Sequence, residues 1–110
     1  MNELDFDKLN GLIPVVAQDA TSKEVLMLGF MNREAFETTL SSGYLCFWSR
    51  SRQALWTKGE TSGNKLRVLG LAIDCDNDTL LAQVHVEGDG MCCHTGAKSC
   101  FFTNLELNNP

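Results

Sequence analysis

Cysteine, histidine and clustered carboxylates are the side chains that hold metals and move protons, and most of them crowd into two short segments, Asp74-Cys75-Asp76-Asn77-Asp78 and the run from Met91 to Phe102, MCCHTGAKSCFF. Any fold for this chain has to place both. Six residues, Thr95 and Gly96 among them, separate Cys93 from Cys100, enough chain to turn back and aim both sulfurs at one ion. A zinc site takes four protein ligands when structural, or three and a water when catalytic. Cys75 is the natural third. With Cys75, Cys93 and Cys100 as ligands, one position stays open for a water whose pKa zinc lowers to about 7. His94, next to a ligand, is then the candidate general base, since imidazole is the side chain that exchanges protons near neutral pH. Spacing does not rank Cys92 against Cys93, and no CxxC pair is present to make the pattern specific by itself. A single histidine in such a run more often serves a turn or a core. Cys46, inside the apolar run Tyr44-Leu45-Cys46-Phe47-Trp48, reads as a small hydrophobe. The pattern points to a metal-dependent hydrolase.

The acidic run adds a geometric expectation. It follows Val68 to Ile73 and precedes Leu80-Leu81, which places it on or at the end of a strand. Side chains alternate along a strand, so Asp74, Asp76 and Asp78 are expected on one side and Cys75 on the other. One ion does not collect all four. Two ions follow: a hard cation such as Mg2+ on the carboxylates and a softer Zn2+ on the thiolate. The competing reading is a solvated turn, the usual place of an Asp-Asn-Asp cluster. An EF-hand fails, because its sixth position would be Thr79 instead of Gly and its twelfth His85 instead of Glu. The zinc deaminase signature has a decoy in His85-Val86-Glu87, but its PCxxC partner is missing.

With 110 residues, 44% of them hydrophobic and 21% charged, the chain suits one compact domain spanning 1–110, small enough for an oligomer interface to be unsurprising. The first residues, MNELDFDKLNG, are acidic and lack the basic and apolar regions of a signal peptide, and no apolar run reaches the length of a membrane span. Five cysteines, an odd count, fit metal or thiol chemistry in a reducing cytoplasm better than a disulfide framework. A net charge of -5 argues against nucleic acid as a partner, but not against one phosphorylated small molecule. Local charge bears on that: Arg50, Arg52, Lys58, Lys65 and Arg67 lie in one stretch against a single Glu60.

Along the chain, Gly11 to Asp19 reads as a strand, with Pro14 suggesting an edge position. A turn at Asp19 to Lys23 leads to a return strand over Glu24 to Phe30. Asn32 caps a helix running to about Leu40 and stopping near Ser41-Ser42-Gly43, with Ala35, Phe36 and Leu40 on the buried face. Tyr44 to Trp48, Ala54 to Thr57, Val68 to Ile73 and Thr79 to Val86 are further strands. The fold class is therefore α+β, mostly β: a single compact domain of antiparallel strands with one main helix.

Between the fourth and fifth strands, Lys58-Gly59-Glu60-Thr61-Ser62-Gly63-Asn64 is a Gly-rich loop whose amides, hydroxyls and Lys58 suit phosphate oxygens. It is not a Walker A loop, since only three residues separate Gly59 from Gly63 and Asn64 precedes Lys65. A surface hairpin loop is the plainer reading. Arg50 and Arg52 nearby raise the case for an anion site, because guanidinium groups pair bidentately with phosphate. Trp56 has a base-stacking reading beside the commoner one of core packing.

Taken together, GLIPVVAQD, EVLMLGFMNREA, SRSRQALWTKGETSGN, DCDNDTLL and CHTGAKSCF resemble the phosphoribosyl-AMP cyclohydrolase family over nearly the whole chain. The resemblance implies hydrolytic opening of the adenine ring of phosphoribosyl-AMP between N1 and C6, in histidine biosynthesis. It implies Zn2+ on Cys75, Cys93 and Cys100, which leaves Cys92 out, and Mg2+ on Asp74, Asp76 and Asp78. It also implies an intertwined homodimer with zinc ligands drawn from both subunits, His94 in proton transfer, and Arg50, Arg52, Trp56, Lys58, Thr61, Ser62 and Asn64 in or beside the substrate motifs. Met91-Cys92 departs from the small or Pro-containing residues often found before CHTGxxSC. In many bacteria a phosphoribosyl-ATP pyrophosphohydrolase domain follows this one, so either a stand-alone enzyme or one part of a fusion is expected. The rival readings are another zinc-dependent purine hydrolase or deaminase, and a non-catalytic binding module with a closed four-ligand zinc.

Overall fold

In the computed structural model, which describes residues 3–107, the chain runs β1 (Ile13–Asp19), β2 (Val25–Met31), α1 (Arg33–Ser42), β3 (Cys46–Ser49), β4 (Ala54–Thr57), β5 (Leu66–Ile73) and β6 (Leu80–Val86). Four strands form one sheet in the order β2-β1-β6-β5, and β3-β4 form a separate two-stranded ribbon. The β1-β2, β3-β4 and β5-β6 pairs are antiparallel. The β1-β6 pair is parallel, from Val15 opposite Leu80 to Asp19 opposite Val84, so the sheet is mixed and not purely antiparallel as the local pattern implies.

The same pairing corrects the edge position expected from Pro14. β1 is an interior strand, and its proline is tolerated because the register with β6 begins only at Val15, one residue later. Alternation then sorts the sheet into two faces. Ile13, Val15 and Ala17 on β1, and Leu80, Ala82 and Val84 on β6, are buried in the core. Their neighbours Val16, Leu28 and Leu81 lie in register across β1, β2 and β6 on the outer face, where Leu28 is 47% and Leu81 36% exposed.

Helix α1 covers part of the inner face and packs on β3 and β2. Asn32 caps it, its Oδ1 accepting from the Ala35 N–H at 2.8 Å, and Gly43 closes it in the left-handed conformation. Leu40, expected inside, is 59% exposed. Thr39 takes the buried place because its hydroxyl donates to the Ala35 carbonyl at 2.9 Å and accepts from the Cys46 N–H at 3.0 Å, tying the helix to β3. Leu4 and Phe6, ahead of β1, complete the core.

Candidate active site

Two segments build the site. The loop between β4 and β5 is held by Gly63 N–H donating to Gly59 O at 2.8 Å and by Lys58 N–H donating to Leu45 O at 3.2 Å. The segment after β6 folds back on itself, with Cys92 N–H donating to Lys98 O and Cys93 N–H to Ala97 O, at 3.1 and 3.0 Å. Gly96, at φ 93°, turns that hairpin, which brings Cys100 back against Cys92 and Cys93. The hairpin is fastened to β2. Ser99 Oγ donates to Val25 O at 2.7 Å, Cys100 N–H donates to Leu26 O at 2.7 Å, and Lys98 pairs with Glu24 at 3.5 Å and Asp19 at 3.9 Å.

Between the loop and the hairpin lies a cavity of about 430 Å3, within the range of small-molecule sites. Arg52, Trp56, Lys58, Thr61, Ser62 and Asn64 line it, and so do Cys93 and His94. These residues lie up to 42 positions apart in sequence, from Arg52 to His94, yet share one volume. Lys58 Nζ sits 5.8 Å from the centre of the Trp56 ring. Arg50 is placed elsewhere: it stacks on Phe30 at 4.0 Å and lines an adjoining hollow that shares only Trp56 with the first.

The thiols are not equivalent. Thr95 Oγ1 donates to Cys93 Sγ at 3.1 Å, and this bond, followed by the Thr95 N–H, holds the Cys93 thiol below its ordinary value of 9.0. Burial pushes Cys100 up and pushes Cys92 up to about 11. Cys92 and Cys93, 2% and 7% exposed, both border the cavity, and of the two Cys92 is the one packed into the hydrophobic core. Cys75 is exposed and does not join Cys93 and Cys100 within the chain; among the described residues the only group of three metal-type side chains is Asp74, Asp76 and Asp78.

Those three carboxylates do converge, but through a turn instead of strand alternation. Their nearest oxygens lie within 4.8 Å of one another. Asp74 Oδ1 accepts from the N–H groups of Asp78 and Thr79 at 3.0 and 3.2 Å, and Asn77 takes a left-handed φ of 66°, so the run wraps around the first aspartate. Desolvation raises Asp74, but these bonds outweigh it and leave its carboxyl below 3.8; Asp78 is raised, first by desolvation and then by its two neighbours. Lys8 reaches across from before β1, its Nζ 3.3 Å from Asp76 and 3.4 Å from Asp78.

Several site residues escape a reading of the sequence. Glu60 and Asp89 add two carboxylates to the cavity wall, Thr95 sets the state of Cys93, Ser99 anchors the hairpin, and Lys8 meets the aspartates. Thr95 and Ser99 carried a local signal in their place inside the thiol run, and Glu60 in its place inside the Gly-rich loop. The deaminase decoy dissolves: His85 is exposed on β6, and Glu87 is taken by the Tyr44 hydroxyl at 3.1 Å and by Arg67 at 3.9 Å.

The sequence profile described as Phosphoribosyl-AMP cyclohydrolase matches residues 27–102, which include the ribbon, the loop, the acidic turn and the thiol hairpin. The chain belongs to the phosphoribosyl-AMP cyclohydrolase family. A protein named phosphoribosyl-AMP cyclohydrolase from Desulfatibacillum aliphaticivorans is 55% identical over 106 residues, covering 96% of this chain and 84% of that one. The histidine biosynthesis bifunctional protein HisIE of Staphylococcus aureus (strain COL) is 53% identical over 106 residues, covering 96% of this chain and 49% of its own length. A protein of the same name from Bacteroides thetaiotaomicron is 54% identical over 99 residues, covering 90% of this chain and 48% of its own. The chain thus spans about half the length of these bifunctional relatives. Among its described residues no helix is long and apolar enough to cross a membrane.

Proposed function

We propose that this chain opens the adenine ring of phosphoribosyl-AMP by hydrolysis between N1 and C6, in histidine biosynthesis, with Zn2+ and Mg2+ as resident ions. One observation carries the reading: the groups suited to a phosphate and a base, Arg52, Lys58, Thr61, Ser62 and Trp56, face the same cavity as Cys93 and His94. Arg52 and Lys58 bind the phosphate by charge-assisted hydrogen bonds, Thr61 and Ser62 add neutral donors, and Trp56 offers its ring to the purine. His94, exposed on the cavity wall, takes a proton from the attacking water and returns one to N1 as the ring opens.

The donor sets fit the two ions. Cys93, already favoured as thiolate by Thr95, and Cys100 beside it are soft ligands suited to Zn2+, while the three clustered carboxylates are hard ligands suited to Mg2+. Bound at the thiols, zinc would supply Lewis-acid activation of water at neutral pH.

Two sulfurs in one chain are an incomplete set, so the third comes from a second copy: Cys75 of the partner subunit, in a homodimer with two such sites. The apolar surface favours this assembly. Leu28, Leu69 and Leu81 on the sheet, and Phe101, Phe102, Leu105 and Leu107 on the extended end of the described chain, are exposed, with Leu105 at 86% and Leu107 at 78%.

The test mixes Cys75→Ser and Cys93→Ser subunits. Each variant alone lacks both sites, whereas a mixed dimer holds one intact set of sulfurs, so random mixing restores about a quarter of wild-type zinc and turnover. Turnover is followed by ultraviolet absorbance as the purine of phosphoribosyl-AMP opens. Zinc retained by Cys75→Ser alone would overturn the shared site, and ammonia as a product would point to a deaminase.

A further inference from the structure

Asn64 lies on the cavity wall, where a side-chain amide invites a role as a substrate ligand. Its polar atoms are already engaged. Oδ1 accepts from the Asp89 N–H at 3.1 Å, and Nδ2 donates to Met91 O at 3.0 Å. Both partners belong to the segment that leads from β6 into Cys92 and Cys93. The two walls of the cavity are therefore joined through a single side chain.

The backbone around Asn64 is shaped for that contact. Gly88 has φ 72°, and a methyl group there would overlap Asn64 Oδ1. On the other side a methyl group at Gly59 would overlap the Asn64 carbonyl. Asn64 is thus seated between glycines from two loops, one of which carries Lys58, Thr61 and Ser62 while the other leads into the thiols. One residue further on, Glu87 N–H donates to Lys65 O at 2.8 Å, so the latch extends the β5-β6 ladder past its last paired residues. Among the described residues no other side-chain hydrogen bond links 58–64 to 87–93.

We propose that Asn64 is a positioning residue: it latches the phosphate-binding loop to the thiol segment and fixes the distance across the active-site cavity, without touching the substrate. Its effect on turnover rests on the function proposed above; its effect on the thiols does not. Cys93 is 7% exposed, so its modification by an aromatic disulfide reagent waits for the segment to open.

The experiment labels metal-free protein and follows Cys93 by peptide mass spectrometry. Asn64→Ala, which removes both bonds, is expected to speed Cys93 labelling about tenfold. Asn64→Asp keeps the acceptor for Asp89 but loses the donor to Met91 and gives a smaller acceleration. Gly88→Ala, which adds no group able to meet a substrate but displaces the Asn64 amide, should reproduce the Asn64→Ala effect, and the double variant should fall short of the two effects combined. The urea midpoint of each variant separates local opening from general unfolding. With phosphoribosyl-AMP, kcat should fall by more than KM rises. Unchanged Cys93 labelling in Asn64→Ala, with a higher KM, would overturn the latch and make Asn64 a ligand. Faster labelling in protein that never opens phosphoribosyl-AMP would keep the latch and remove the proposed reaction.

Discussion

Ser99 offers a direct way to ask what holds the thiol hairpin in place. It is 5% exposed, and its hydroxyl makes two short bonds, donating to Val25 O at 2.7 Å and accepting from the Phe101 N–H at 2.9 Å. Cys100, between those partners, donates its own N–H to Leu26 O at 2.7 Å. Ser99→Ala deletes the hydroxyl without adding volume, so the loss is the two bonds plus the cost of leaving buried groups unpaired. A net hydrogen bond contributes about 1 kcal/mol and an orphaned buried group costs roughly 1–3 kcal/mol, so destabilisation of about 2–3 kcal/mol is expected. Against a typical total of about 5–15 kcal/mol that is a large fraction. Urea unfolding at fixed protein concentration reads it as a lower midpoint with an unchanged slope. On the function proposed above, zinc release to a chelator should quicken in the same variant, because the hairpin that carries Cys100 loses one of its anchors to β2. A change under about 0.5 kcal/mol, with zinc release as in the wild type, would refute the claim that Ser99 fixes the hairpin.

Removing the Lys8 ammonium from the aspartate cluster with Lys8→Met should tighten Mg2+ binding severalfold by calorimetry, and the gap should close at high salt, since both contacts are exposed to solvent. Asn32→Ala leaves the Ala35 N–H without its acceptor and should cost about 1 kcal/mol in urea unfolding, with Mg2+ and Zn2+ binding unchanged. Asp19 is held below 3.8, first by the Ser22 N–H and then by those of Thr21 and by Lys98. Its folded value is depressed, so its contribution is complete above 3.8 and disappears as pH falls through the folded value. Asp19→Asn should therefore be less stable than the wild type near neutral pH and approach it in acid, in a series of urea titrations.

Short-range features were legible in the sequence because their causes are local. Asn32 and Gly43 mark the two ends of α1, and alternation along β1 and β6 marks their buried faces. The misjudged positions depend on what arrives from elsewhere in the chain. Pro14 looks like an edge residue until β6 pairs with β1 one position later, and Leu40 looks buried until Thr39 finds both of its partners on the adjoining backbone. At the site, the spacing of Cys93 and Cys100 anticipates their approach, which Gly96 produces. The aspartates meet for a different reason from the one their alternation offers, a wrapped turn with Asn77 left-handed. Lys8 and Asp89 carry no motif, since only the tertiary path brings them to those groups.

The parallel pairing of β6 with β1 has a consequence for how the molecule comes into being. β6 is made after the other five described strands, yet it occupies the interior of the sheet, so β1 and β5 keep open backbone edges until it inserts. Pairs of such wide sequence separation form slowly, and a chain halted before Leu80 would expose those edges to other chains. The thiol hairpin follows directly behind β6, so Cys93 and Cys100 are made, and can approach each other, only after the strand that closes the sheet.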